Sequence, residues 1–121
     1  LHPGTLPAGE LAGWVAAADL ALLPFVDGVS TRRSTVVAAL QHGVCVLSTD
    51  GRMTDHELRE TAALVLTAAD DAAAFACAAA RLGVDPRLRA RHATAARQRF
   101  ERRHAWPVVA RRLLEALGLR Q

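Results

Sequence analysis

Arg32, Arg33, Ser34 and Thr35 stand in one run, shortly after Asp27, Gly28, Val29 and Ser30. Adjacent guanidinium groups can make charge-assisted, bidentate hydrogen bonds to phosphate oxygens. The first backbone N–H groups of a helix have no intrahelical acceptor. A helix that opens at Ser34 and Thr35 therefore adds free amides and hydroxyls to the arginine charge. Asp27 can accept hydrogen bonds that order the loop, although Asp-Gly is also an ordinary turn pair. These eight residues form a candidate anion-binding loop. Two cations before a helix N-terminus oppose its dipole at about 0.3–1 kcal/mol each, a cost that a bound diphosphate reverses. The competing reading has both arginines in solvent or paired with Asp27 or Asp50, and Ser34 and Thr35 as plain N-caps.

The flanking elements give that loop its position. Leu20 to Phe25 is an uninterrupted apolar run, as expected of a strand covered on both faces. Ser34 to His42 reads as a helix with Gly43 as its stop, and Val44 to Leu47 as a second buried strand. Open α/β sheets bind phosphates in such loops, at the carboxyl end of a strand and the start of a helix. Upstream, Pro7 to Ala18 predicts a helix with Leu11, Trp14, Val15 and Ala18 on one face. Leu1 to Leu6 reads as a strand end or its loop. Downstream come a short helix at Asp55 to Arg59 and a third strand at Ala63 to Leu66. Asp70 or Asp71 should cap a helix that runs to about Leu82 and ends at Gly83. Pro86 to about Arg103 predicts an arginine-rich helix with Leu88, Ala95, Phe100 and their neighbours as its buried stripe. Pro107 to Leu117 predicts a last helix, ended by Gly118. Helix and strand alternate, then helices follow alone. The expected class is α/β, a partial Rossmann-like parallel sheet followed by C-terminal helices.

A chain of 121 residues fits one domain with a real core. No apolar run reaches the roughly 18 residues of a membrane span. The opening LHPGTLPAGE has neither a basic nor an apolar signal region. All 15 basic side chains are arginine, and the net charge is +3. Nucleic acid is not the expected partner: the charge is modest, and no series of stacking aromatics interleaves the arginines. His2, His42, His56, His92 and His104 lack metal-ligand spacing, so neither a metal nor a cofactor is expected. His92 and His104 read as surface groups, and His42 as a helix C-terminal residue that suits the dipole. Cys45 and Cys77 read as buried reduced thiols. Glu57 either lines the site after the second strand or belongs to a solvated helix face.

Five segments in order resemble the donor-binding half of GT-B glycosyltransferases, of the retaining, glycogen-synthase-like family 4 (group 1) type. GELAGWVAAADLALLP fits the helix-strand entry through Glu10, Leu11, Trp14, Ala18, Asp19 and Pro24. AALQHGVCVLSTD fits the next helix and strand through Ala39, Gly43, Val46 and Thr49, with Cys45 where the family has proline. DHELRE resembles the acidic turn, ALVLTAADDAAAFACAAARL the following strand and helix, and the segment from Asp85 to Leu117 the tail with its Trp106-Pro107 pair.

The resemblance covers nearly all of the chain and implies one C-terminal nucleotide-sugar-binding domain over residues 1–121. Its partner would be a nucleotide-diphosphate sugar held by Asp27, Gly28, Val29, Ser30, Arg32, Arg33, Ser34 and Thr35, with no catalytic residue assigned. An acceptor domain and the early strands would precede Leu1, and the piece alone would not catalyse transfer. Ala38 stands where relatives carry a carboxylate near the nucleotide ribose, and the loop before it is longer than theirs. The alternative is a non-catalytic interaction module that kept this fold. The resemblance places the chain in the cytoplasm, with the arginine-rich tail near an acidic membrane surface. The apolar face of the last helix (Val108, Val109, Leu113, Leu114) should pack on the sheet layer or on a second copy of the chain.

Overall fold

The computed structural model describes residues 2–119. Of the opening segment, Leu1 lies outside them, and residues 2–7 form no strand or helix. The elements are α1 (Ala8–Ala17), β1 (Leu20–Leu23), α2 (Ser34–Gln41), β2 (Cys45–Asp50), α3 (His56–Arg59), β3 (Val65–Ala68), α4 (Ala72–Val84), α5 (Pro86–Arg99), a π-helical turn (Phe100–His104) and α6 (Trp106–Ala116). The three strands form one parallel sheet in the order β1-β2-β3. Leu20 pairs with Cys45 and Leu47 with Val65. The expected α/β class, with a small parallel sheet followed by C-terminal helices, is what the chain forms.

β2 lies at the centre because it is apolar on both faces. Val46 joins Val29, Val36, Leu40, Val44, Leu58, Leu64 and Ala96 on one side. Cys45 and Leu47 join Leu82 on the other, with Phe75 and Leu88 packed around them. α2 ends where Gly43 turns left-handed at φ 63°. The N–H groups of Gly43 and Val44 reach back to the carbonyls of Leu40 and Ala39, closing a Schellman motif. Gly118 does the same for α6 at φ 66°, as expected.

Several expectations need correction. β1 is not covered on both faces: it is an edge strand, and Leu22 is 49% exposed. The third strand starts at Val65, because Ala63 and Leu64 are spent in the core before pairing with β2 begins. Gly83 does not end α4. Asp85 does, because its carboxylate accepts from Leu88 N–H at 3.0 Å and Pro86 opens α5. Within the expected stripe of α5 the fully buried residue is Ala96, beside Ala95. Cys77 lies exposed on the outer side of α4, while Cys45 is buried, and burial pushes its thiol pKa up. α1 buries none of its residues fully; of its stripe only Val15 packs on the core, and Trp14 stays 47% exposed. Of the expected face of α6, Val108 is partly buried while Val109, Leu113 and Leu114 are exposed, so among the described residues this face is not covered by the sheet layer. Among the described residues, no helix is long and apolar enough to cross a membrane.

Asp71 caps α4 by accepting from Ala74 N–H at 2.9 Å. Asp71→Ala should lower stability by about 0.5–2 kcal/mol, read as a lower melting temperature with the spectrum of the folded state unchanged.

Candidate functional site

The connection from β1 to α2 is tied down by the strand beside it. Thr49 in β2 grips Phe25 twice: its Oγ1 accepts from Phe25 N–H at 2.9 Å and donates to Phe25 O at 2.6 Å. Val29 N–H then donates to Thr49 O at 2.9 Å, and Met53 N–H to Asp27 O at 2.8 Å. Asp55, just before α3, accepts from both Thr31 N–H (2.7 Å) and Thr31 Oγ1 (2.9 Å).

This lacing brings two backbones into contact. A Cβ added to Gly28 would lie 2.2 Å from Thr54 Oγ1 and 2.5 Å from Gly51 N. A Cβ on Gly51 would lie 2.6 Å from Asp27 O. Both positions must be glycine for the two turns after β1 and β2 to cross. Gly28 also adopts φ 96°, which only glycine tolerates easily.

The eight candidate residues therefore divide. Gly28, Val29 and Ser30 are buried and build the loop; Val29 is a core residue. Ser30 steers the chain into the helix, its Oγ accepting from Arg32 N–H and its carbonyl from Arg33 N–H. Asp27 pairs with Arg33, Oδ1 to Nη2 at 2.8 Å, and the same guanidinium lies 4.0 Å above the Phe25 ring. Each partner is 38% exposed, so solvent screening leaves the pair worth about 0–1 kcal/mol. Its effect is to hold one guanidinium in place. The other, on Arg32, is exposed and has no side-chain partner among the described residues. Arg33 is the N-cap, so Ser34 and Thr35 are the first helical residues rather than caps. Both are exposed, and neither N–H has an acceptor among the described residues.

Two hollows flank this point. Thr35 and Ala38 on α2, with His42 just after it, line an apolar groove of about 450 Å³, closed by Leu11, Trp14 and Leu23. At the carboxyl ends of the strands a second hollow, of about 520 Å³, is lined by Val26, Asp27, Asp50, Gly51, Arg52 and Asp70. Asp50 there is held by Arg59 at 2.8 Å, not by the loop arginines. Charge thus differs across the site, with arginine and free amides at the start of α2 and three carboxylates with Arg52 beside it. The first suits a phosphate and the second the hydroxyls of a sugar.

Glu57 neither lines this site nor is solvated alone. It faces the tail, bridging Arg99 at 3.3 Å and Arg103 at 3.4 Å. His92 and His104 are half-buried, contrary to expectation; His92 Nδ1 lies 2.7 Å from Ala62 O. Thr31, inside the loop, gains its role only through Asp55, and Thr49, Gly51, Thr54 and Asp55 shape the loop from outside it, so none of these roles shows in the loop's own residues. One signal was available: each of the first two strands is followed or ended by an Asp-Gly pair, Asp27-Gly28 and Asp50-Gly51.

Among the described residues, no group of three or more His, Cys, Asp or Glu side chains could hold a metal ion. No protein-family model matches the chain, and no curated protein or solved structure matches it either.

Proposed function

We propose that this chain is the donor-binding part of a glycosyltransferase that takes its sugar from a nucleotide-diphosphate sugar. One observation carries the reading. At the carboxyl end of β1, the Ser34 and Thr35 amides and the Arg32 guanidinium lack partners among the described residues, and Arg33 is held in place by Asp27 and Phe25. A diphosphate at this corner would meet charge and N–H donors together. The groove beside Ala38 would take the nucleoside, and the carboxylate-lined hollow at Asp27 and Asp50 would face the sugar. The resemblance to the GT-B donor half agrees with this arrangement and implies that the piece does not catalyse transfer alone.

The exposed leucine face of α6 supports a further contact, with an acceptor half or a second copy of the chain. A cytoplasmic location at an acidic membrane surface is part of the same proposal. A second reading, a non-catalytic interaction module, is favoured by Ala38, which leaves the groove without a carboxylate for the ribose.

Titration with a panel of nucleoside diphosphates separates the two. Wild type should bind at least one of them. The Arg32→Ala, Arg33→Ala double variant should bind it more weakly, by about 1.5–3 kcal/mol for each charge-assisted hydrogen bond removed. Equal affinities in two correctly folded proteins would sink the donor-site assignment and leave the loop as a structural turn.

A further inference from the structure

Away from that corner, α5 carries a second concentration of charge. Arg99, Arg102 and Arg103 follow at i, i+3 and i+4, so they share one helical face at the junction of α5 and the π-helical turn. Ala95 sits one turn earlier on the same face and leaves room in front of them. With Thr61, Ala62 and Gln98 these residues line a recess of about 240 Å³. Every polar side chain of the lining can donate a hydrogen bond, and none is a carboxylate. Thr61 Oγ1 already accepts from Ala63 N–H at 3.1 Å, which leaves its hydroxyl proton to give.

Like charges at this spacing repel, and the protein compensates them only in part. Among the described residues, Glu57 is the one carboxylate ion-paired with these arginines, and it bridges Arg99 and Arg103. The Arg99 contact, at 3.3 Å, lacks hydrogen-bond geometry. Its side chain is only 11% exposed, and its buried Nε and Nη2 have no hydrogen-bond partner among the described residues. Arg102 is exposed and has no side-chain partner among them. Burial first, and then the Arg99 charge, hold the His104 imidazole below its ordinary pKa.

We infer that this recess binds the phosphate group of a small soluble phosphomonoester, or inorganic phosphate. Convergent guanidinium donors match the oxygens of a tetrahedral dianion. The recess is smaller than the roughly 300–1,000 Å³ of pockets that enclose a whole small molecule, so it suits the phosphate group and leaves the rest of the ligand in water. The site is separate from the start of α2 and does not depend on the donor-binding proposal.

The test is a titration of the full chain with inorganic phosphate, and then with glycerol 3-phosphate, followed by amide NMR shifts at constant ionic strength with chloride as the balancing anion. Saturable shifts are expected at Thr61, Ala62 and Gln98. Arg102→Gln, on an exposed side chain that folding does not need, should weaken this binding by roughly tenfold or more, the worth of one charge-assisted hydrogen bond. Glu57→Gln, which removes the competing carboxylate, should strengthen it. The Arg32→Ala, Arg33→Ala protein should bind at this recess like wild type. Shifts confined to Ser34 and Thr35, shifts that grow linearly without saturating, or an Arg102→Gln protein that binds like wild type would each overturn the assignment.

Discussion

Gly28→Ala should lose about 2–5 kcal/mol of stability, the sum of overpacking and of a left-handed backbone imposed on a residue with a Cβ. The new methyl would meet Thr54 Oγ1 and the Gly51 backbone well inside contact distance, and φ is 96°. Neither neighbour can retreat easily. Thr54 Oγ1 accepts from Gly51 N–H, and Asp27 O accepts from Met53 N–H, so both turns are already tied to each other. Gly51→Ala separates the two causes. It meets Asp27 O at 2.6 Å without a left-handed φ, and should lose only the overpacking part, about 1–3 kcal/mol. Gly83→Ala is the control of opposite sign: its Cβ meets nothing within 4 Å and it lies inside α4, so it should gain about 0.5–1 kcal/mol. Urea unfolding measures all three as shifts of the midpoint at constant slope. A Gly28→Ala protein as stable as wild type would mean that the turns do not cross as described.

Leu40→Ala should cost about 2–5 kcal/mol, the range for deleting a fully buried leucine side chain and leaving a cavity. Leu40 has no exposed surface and lies in the cluster that also holds Val29 from the loop and Val36 from α2. The same core therefore seats the loop and the helix that opens beside Arg32 and Arg33. Leu113→Ala is the matched comparison. Leu113 is 57% exposed on α6, and its truncation should change stability by no more than about 0.5 kcal/mol. Denaturation of both variants at low protein concentration reads the difference directly. Equal destabilisation would place the core elsewhere. A Leu113→Ala cost that appears only at high concentration would show that a second copy covers α6.

Much of the fold was legible in the chain because its signals are local. Gly43 and Gly118 end their helices through hydrogen bonds between residues at most five apart, so a short window holds the whole device. The alternation of apolar runs with helical periods is local too, and it was enough to anticipate a parallel sheet followed by helices. The arginine pair before α2 could be read the same way, as charge beside a helix start.

What a short window cannot hold was decided by tertiary structure. Nothing in Leu20 to Phe25 says that one face of β1 is left open; that depends on which elements reach the strand. The start of β3 at Val65 is set by its pairing with Leu47, not by where its apolar run begins. Asp55 fastens Thr31 across 24 residues of sequence. Gly28 is needed because Gly51 passes against it, and Glu57 meets Arg99 only because α5 packs back across the sheet. Hydrogen bonds within a turn form between residues that the covalent chain already holds close. Contacts between distant segments form only when burial of the shared core brings those segments together, so their partners depend on the whole arrangement rather than on either segment alone.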